Sequence, residues 1–159
     1  MIDHFLADLH LGDAKLARVR GFDSADAMTA AIVAAWTARV TPDDRVWVVG
    51  DVGDPAPLAA LPGTKHLIIG NTDTPVARYR AGGIFASVVR QHLLDTPDSG
   101  AWLLVHRPQD APIDPAQPVV HGHIHAKQWP DRRFVCVSVD QTDWGPITLE
   151  DVAARLQTR

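Results

Sequence analysis

The chain has 159 residues, of which 46% are hydrophobic and 21% are charged, a composition typical of one soluble domain with its own core. Its formal net charge of −4 argues against nucleic acid as the leading partner, and its single cysteine, Cys136, excludes a disulfide framework. We therefore expect a cytoplasmic protein. The sequence contains no secretory signal and no apolar run of roughly 18 residues, so we also expect no association with a membrane.

Short apolar runs alternate with helical patterns through the first half of the chain. The runs are rich in β-branched and aromatic residues and predict buried strands at residues 5–7, 46–49 and 67–69. Helical patterns lie between and after these runs, at residues 25–40, 57–61 and 76–80. Ser24 is the expected N-cap of the first helix, and Ile32 and Trp36 lie on its expected buried stripe.

The second half of the chain favours strands. Residues 85–94 and 101–105 are predicted to pair as a hairpin, and residues 107–118, with three prolines, to form an irregular loop. Further strands are predicted at residues 119–120 and 134–139, and a final helix at residues 148–156. This order of elements predicts a single α/β domain over residues 1–159, a sandwich built around mixed sheets.

Polar side chains follow five of the predicted strands, and all are of types that bind metal ions. They are Asp8, His10, Asp51, Asn71, His106, His123 and His125. Because ligand sites in α/β sheets assemble at the carboxyl ends of strands, we expect these seven side chains to converge. Two carboxylates, one amide and four imidazoles are too many for one tetrahedral zinc ion. They suit two divalent ions of the Mn, Fe, Co, Ni or Zn kind.

The order of these residues resembles the motif series of the calcineurin-like binuclear metallophosphoesterases, D-x-H, G-D, G-N-H-D, H and G-H-x-H. Here the series stands as Asp8-Leu9-His10, Gly50-Asp51, Gly70-Asn71-Thr72-Asp73, His106 and Gly122-His123-Ile124-His125. The resemblance implies an αββα sandwich with mixed sheets and an active site at the carboxyl ends of the strands. It also implies two ions, with manganese expected. One would be held by Asp8, His10, Asp51 and His125, and the other by Asp51, Asn71, His106 and His123, with Asp51 as the bridge.

One position departs from the motif series. Thr72 stands where many members of the family carry a histidine that is credited with protonating the leaving oxygen. A threonine hydroxyl can donate a hydrogen bond, but it cannot act as a general acid near neutral pH. We therefore expect hydrolysis of phosphodiesters, rather than phosphomonoesters, by a hydroxide that bridges the two ions in an open site of low selectivity.

Further side chains are candidates for the reaction or for the substrate. The expected catalytic set is Asp51, Asn71, Thr72, Asp73 and His121, in which His121 either orients a ligand or replaces the missing acid. Arg107 is expected to pair with a substrate phosphate, and Trp129 to stack on a flat group of the substrate. Solvation of Arg107, core packing of Trp129 and support of the Asn71 turn by Asp73 are the alternatives.

The expected partner is a small phosphate ester or a nucleotide diester, and a nucleic-acid end is less favoured because the chain is acidic. Two other functions remain open. One is a non-catalytic, metal-binding scaffold with the same fold, and the other is a phosphomonoesterase with a substitute acid. His4, His66 and His92 are expected to be structural.

Overall fold

The computed structural model describes residues 1–97, 99–113 and 116–157, and these residues form two β-sheets with four helices. The strands are β1 (Asp3–Leu6), β2 (Arg45–Val48), β3 (Thr64–Ile68), β4 (Ser87–Val89), β5 (Gln91–Thr96), β6 (Gly100–Val105), β7 (Val119–His121), β8 (Phe134–Cys136) and β9 (Ile147–Thr148). The helices are α1 (Ala14–Val19), α2 (Ala25–Arg39), α3 (Val76–Ala81) and α4 (Leu149–Gln157). Short 3-10 helices lie at Ala56–Ala60, Pro108–Asp110 and Val139–Gln141.

Both sheets are mixed. The first has the strand order β4-β3-β2-β1-β9, in which β1 to β4 are parallel and β9 is antiparallel to β1. The second has the order β5-β6-β7-β8, in which β6, β7 and β8 are parallel and β5 is antiparallel to β6. The predicted α/β fold with two mixed sheets is therefore confirmed.

Two apolar layers hold the sandwich together. Between the sheets, Phe5 and Trp47 of the first sheet pack with Trp102, Leu104 and other buried side chains of the second sheet. On the other face of the first sheet, buried side chains of β1, β2 and β3 pack against the helices. Because β1, β2 and β3 contribute buried side chains to both layers, their apolar runs are nearly continuous rather than alternating.

Helix α2 confirms the strongest helical prediction. The Ser24 side chain accepts a hydrogen bond from the Ala27 amide at 3.0 Å, which satisfies one of the free donors at the start of the helix. Met28, Ile32 and Trp36 form its buried stripe against the first sheet. Replacing Trp36 with alanine would cost about 3–5 kcal/mol of stability.

Irregular segments, rather than helices, cover the outer face of the second sheet. Leu103, Val119 and Phe134 on this face pack against Ala111 and Trp129, which belong to irregular segments. Helix α4 packs instead at the edge of the sandwich, against β8, β9 and β1. It begins as predicted, because the Asp151 carboxylate accepts a hydrogen bond from the Thr148 amide at 2.9 Å and the Thr148 hydroxyl accepts one from the Asp151 amide at 3.2 Å.

The predicted strand at residues 85–94 is wrong. Strand β4 pairs with β3 in the first sheet, whereas β5 pairs with β6 in the second, so the chain crosses between the sheets at Arg90. Arg90, Gln91 and His92 interrupt the apolar residues at this crossing, and this polar stretch is the local signal that the predicted single strand ignored. The paired strands β5 and β6 confirm the second half of the hairpin, and Asp98 in its predicted turn lies outside the described residues.

Other differences are local. Helix α1 was not predicted, although the Asp13 carboxylate caps it by accepting a hydrogen bond from the Leu16 amide at 2.8 Å. The helix predicted at 57–61 is a 3-10 helix at Ala56–Ala60. The strand predicted at 134–139 ends at Cys136, and a 3-10 helix follows at Val139–Gln141. Within the described residues, no helix is long and apolar enough to cross a membrane.

Candidate metal centre

The polar residues predicted from the strand ends lie together in the structure. They follow β1, β2, β3, β6 and β7, which are neighbours within their parallel sets. Backbone hydrogen bonds join the segments beyond the strands: the Asp8 amide donates to the Gly50 carbonyl at 3.0 Å, and the His10 amide donates to the Asp51 carbonyl at 2.9 Å. In the second sheet, the Gly122 amide donates to the His106 carbonyl at 3.0 Å. These hydrogen bonds therefore fix the backbone of the site without any bound ligand.

Backbone strain is concentrated at these positions. Five of the seven predicted ligands have a positive φ, a conformation that is unfavourable for residues with a Cβ atom. They are Asp8 (58°), His10 (46°), Asp51 (56°), His123 (71°) and His125 (52°). Each such residue costs of order 1–3 kcal/mol, a cost that proteins tolerate mainly at functional sites.

Two glycines allow the segments to approach each other closely. Gly50 has φ +85°, and a Cβ atom there would lie 2.3 Å from Nδ1 of His106. A Cβ atom at Gly70 would lie 2.3 Å from the Asp51 carboxylate. A larger residue at either position would therefore displace a predicted ligand.

The imidazoles and carboxylates form two compact groups. Asp8, His10 and His125 place one nitrogen or oxygen atom each within 4.8 Å of one another. Asp51, His106 and His123 do the same. Either group offers the nitrogen and oxygen ligands that divalent transition metals bind.

Asp51 lies between the two groups. Its Oδ2 atom is 3.5 Å from Nε2 of His10 in the first group and 3.4 Å from Nε2 of His106 in its own group. Asn71 also reaches the second group, since its Oδ1 atom is 3.0 Å from Nε2 of His106. The structure thus brings together all seven of the predicted ligands.

Neighbouring groups fix the orientation of two imidazoles. Nδ1 of His106 lies 2.8 Å from the Val49 carbonyl oxygen, which leaves its Nε2 atom directed at Asp51. Nδ1 of His125 lies 3.1 Å from the Asp140 carboxylate. Contacts of this kind select the tautomer that presents the other ring nitrogen to a metal ion.

Arg20, which caps the end of helix α1, reinforces this arrangement. Its guanidinium donates to the Asp140 carboxylate at 2.5 and 3.0 Å and to the Asp8 carbonyl oxygen at 2.7 Å. The Arg20 side chain is only 2% exposed, so its charge is matched by Asp140 inside the protein. Asp140 and Arg20 were not predicted as site residues, because nothing in their spacing separates them from surface charges.

The electrostatics of the site depend on burial and on Asp51. Burial raises the pKa of the Asp8 carboxyl and lowers the pKa of the His10 and His123 imidazoles. Burial alone would also raise the pKa of Asp51, but the hydrogen bond and charge of His106 hold it well below its ordinary value. The same contact raises the pKa of His106 against the effect of burial.

The surroundings of one buried nitrogen atom indicate whether a cation fits between the two ligand groups. Nε2 of His10 is buried and makes no hydrogen bond with any described residue, although it faces the Asp51 carboxylate. In the tautomer protonated at Nδ1, the His10 imidazole directs a lone pair at that carboxylate, an unfavourable arrangement that a metal ion between the two groups would relieve. The residues present therefore fit divalent metal ions.

The turn at residues 70–73 contains one buried carboxylate that supports the backbone and exposed groups beside Asp51. Asp73 is fully buried and accepts hydrogen bonds from the amides of Asp51 at 2.9 Å, Val52 at 2.8 Å and Gly70 at 2.7 Å. Its carboxylate is thus a positioning group that no substrate can reach, which corrects its place in the predicted catalytic set. Thr72 is exposed, and its amide donates to Oδ1 of Asp51 at 2.9 Å.

The structure does not support two of the predicted roles. His121 is fully buried and belongs to neither ligand group, and its ring packs near Trp129 and Phe134. A substitute acid must reach the substrate, and His121 does not. Trp129 packs on the outer face of the second sheet, away from the ligand groups. Strand periodicity alone placed His121 beside His123, but β7 ends at His121 and the chain then turns.

Two arginines line a cavity of about 140 Å³ beside Asn71 and His106. Arg107, predicted from its position after His106, forms an exposed ion pair with Asp110 at 2.9 Å. Arg90 was not predicted, because it reaches this cavity only through the crossing between the sheets. Its guanidinium makes no hydrogen bond or ion pair with the other described residues. Arg90 is therefore the freer of the two cations.

Comparison with known proteins establishes the fold rather than the activity. No protein-family model matches the chain. Two relatives are each named Gene 66 protein. The one from Mycobacterium phage D29 is 39% identical over 85 residues, which cover 48% of this chain and 42% of the relative. The one from Mycobacterium phage L5 is 33% identical over 81 residues, which cover 45% and 39%. The chain thus spans less than half the length of the curated relatives it matches.

Solved structures extend the comparison over nearly the whole chain. A protein of unknown function from Aquifex aeolicus superimposes with a TM-score of 0.76 at 18% identity, covering 96% of this chain and 98% of that one. A conserved uncharacterized protein from Streptococcus pneumoniae, described as a predicted phosphoesterase, gives a TM-score of 0.42 at 13% identity, covering 86% and 70%. The Aquifex protein shares the fold of this chain.

Proposed function

We propose that the chain hydrolyses phosphodiesters with the help of two divalent metal ions. The observation that carries the proposal is the position of Asp51, within 3.5 Å of His10 in one ligand group and 3.4 Å of His106 in the other. Paired divalent ions supply Lewis acidity towards phosphate oxygens and lower the pKa of a bound water molecule to about 7. Manganese is the expected metal, with iron, zinc, cobalt or nickel as alternatives.

The protein's own residues hold this centre in place. Asp8, His10 and His125 would hold one ion, and Asn71, His106 and His123 the other, with Asp51 shared between them. Asp140 and Arg20 orient His125, and the Val49 carbonyl orients His106. Because the backbone of the site is already strained and hydrogen-bonded, little reorganisation is needed when the substrate binds.

Thr72 favours diesters over monoesters. Its hydroxyl can donate a hydrogen bond to a leaving oxygen but cannot protonate it near neutral pH. A leaving group must then depart as an anion or take its proton from water, and alcohols that are weak acids suffer most. With His121 fully buried, a monoesterase that uses this imidazole as its acid is disfavoured.

Arg90 and Arg107 supply positive charge beside the second ligand group. A phosphodiester carries one negative charge, and a guanidinium matches the geometry of two phosphate oxygens. Arg90 is free to make this contact, whereas Arg107 already pairs with Asp110. The substrate is thus a small phosphodiester, such as a nucleotide diester, whose phosphate lies between the ligand groups and Arg90.

A non-catalytic scaffold remains the second candidate, because Thr72 is the feature expected of an inactive relative. Hydrolysis of bis(4-nitrophenyl) phosphate with added Mn²⁺ separates the two functions. We expect release of nitrophenolate that depends on the metal and is abolished in Asp51→Asn, with Asp54→Asn, outside both ligand groups, as the matched control. A protein that binds Mn²⁺ but releases no nitrophenolate with any divalent metal would support the scaffold instead.

A further inference from the structure

A second cavity opens beside the first ligand group, and its walls are largely apolar. Its volume is about 630 Å³, more than four times that of the small cavity of about 140 Å³ lined by Arg90. Leu16, Val19, Ile124 and Trp144 contribute apolar wall, and the cavity shares His123 and His125 with the ligand groups. A group bound there would therefore lie directly beside the phosphate of a substrate.

Trp144 is held in place as one wall of this cavity. Its backbone has φ +61°, which is rare for a bulky residue. The rings of Trp144 and Phe22 pack edge to face, with their centroids 4.8 Å apart. The Arg20 guanidinium carbon lies 5.6 Å from the centroid of the Trp144 ring. Because these contacts fix the indole in advance, little side-chain entropy would be lost when it contacts a ligand.

Helix α1 contributes another part of the wall. Val19, the last residue of the helix, is 76% exposed and lines the cavity. Leu16 lies one turn earlier on the same side of the helix. The charges of Arg20 and Asp140 in the wall neutralise each other at 2.5 Å. Lys127 adds one charged group to the lining, and the rest of the surface left for a ligand is mainly apolar.

We propose that this cavity binds a planar aromatic ester group of the phosphodiester substrate. The inference rests on the proposed function, because the phosphate must lie at the ligand groups for its ester group to reach Trp144. An aromatic ring would bury apolar area against Val19 and Leu16 and could pack against the fixed indole. A methyl or other small ester group would leave most of the cavity filled with water. The cavity therefore selects for substrates with an aromatic group, in contrast to the low selectivity that the sequence predicts.

Two charge-matched phosphonates test the proposal by direct binding. Methyl phenylphosphonate and methyl methylphosphonate carry the same single charge and differ only in the aromatic ring. Calorimetric titration of the Mn²⁺-loaded protein should show at least about tenfold tighter binding of the phenyl compound. Thymidine 5′-methylphosphonate provides a third arm, and its rank against the phenyl compound distinguishes a nucleobase from a simple aryl group.

Val19→Ser is the most informative variant, since an exposed side chain can be changed without disturbing the core. We expect the preference for the phenyl compound to fall about threefold or more in Val19→Ser. Ile113→Ser is the matched control, because Ile113 is also exposed and apolar but lines a different cavity. The control should keep the full preference.

The outcomes separate this proposal from the proposed function. Equal binding of the phenyl and methyl compounds by a protein that hydrolyses bis(4-nitrophenyl) phosphate would overturn the aromatic site and leave the hydrolysis intact. Tighter binding of the phenyl compound that Val19→Ser weakens, in a protein without hydrolytic activity, would support the aromatic site and contradict the proposed function. A preference unchanged in Val19→Ser would also overturn the assignment of this cavity.

Discussion

The Asp51 carboxylate and the His10 imidazole approach each other to 3.5 Å without forming a hydrogen bond, across the boundary between two groups of metal-binding side chains. Both atoms are buried, so neither can be satisfied by bulk water. The buried His10 nitrogen thus lacks the hydrogen bond that buried polar atoms normally make, and its neighbours are of the types that bind metal ions. This relationship links the sequence motifs to a proposed binuclear centre.

Removing the Asp140 carboxylate should weaken metal binding without removing a ligand. Asp140→Asn loses the charge that holds Nδ1 of His125 at 3.1 Å, and changes of this kind typically cost 10–100-fold, or about 1.4–2.7 kcal/mol, in metal affinity. Titration with Mn²⁺ should show a loss of this size. Asp131→Asn is the control, since Asp131 pairs with Arg133 at the surface. Equal affinities in the two variants would show that Asp140 does not position His125.

Arg90→Ala should raise KM for a phosphodiester about tenfold while changing kcat less, because the free guanidinium contributes binding to the phosphate. Arg107→Ala should have a smaller effect, since its partner Asp110 already holds the side chain. Steady-state kinetics with bis(4-nitrophenyl) phosphate provide the comparison. A larger effect for Arg107 than for Arg90 would reverse the assignment.

Thr72→His should change the ratio of monoester to diester hydrolysis. An imidazole at this exposed position can protonate a leaving oxygen, and general acid catalysis typically contributes about 10²–10⁴-fold. We expect the gain mainly for substrates whose leaving alcohol is a weak acid, such as phenyl phosphate, and little gain for nitrophenyl esters. If all rates stay unchanged, the missing acid is not what limits the proposed hydrolysis.

Stability should fall in mild acid because of a stack far from the ligand groups. Trp47 lies between His66 and His92, with ring centroids at 4.5 and 4.6 Å. Burial, aided by the charge of Arg45, lowers the pKa of both imidazoles below the ordinary value of 6.5, and the nearby carboxylates of Asp3 and Asp95 only partly oppose this.

The fold therefore favours the neutral form of each ring, while the unfolded chain takes up a proton near pH 6.5. The stabilisation is fully present above that pH and is lost as the pH falls through 6.5 towards the lower pKa of the folded state. Urea unfolding between pH 8 and pH 5 measures the slope. His66→Gln and His92→Gln should each make the slope shallower, and a slope equal to that of the parent would contradict this explanation.

The sequence was sufficient to predict which polar side chains lie together at the strand ends, because each lies next to its strand. Asp8 and His106 directly follow apolar runs, and Asp51 follows one after Gly50. The carboxyl ends of neighbouring parallel strands lie at the same edge of a sheet. Helix α2 was equally clear, because Ser24 and the stripe through Trp36 are local signals.

The features that sequence reasoning missed depend on contacts between distant residues. Arg90 reaches the site because the chain crosses between the sheets, and the polar stretch at residues 90–92 does not by itself show which sheet each half joins. Arg20 and Asp140 are 120 positions apart and gain their role by pairing inside the fold. Trp144, rather than Trp129, lines the cavity that includes His123 and His125, and no local pattern in the sequence indicates this position.

The number and coupling of bound Mn²⁺ ions test the central claim most directly. Elemental analysis with electron paramagnetic resonance should find two ions per chain in the parent protein, with the exchange-coupled spectrum expected of ions that share Asp51. In Asp51→Asn, the coupled signal should disappear. A parent protein that binds no Mn²⁺, a single ion or two magnetically isolated ions would contradict a binuclear centre bridged by Asp51.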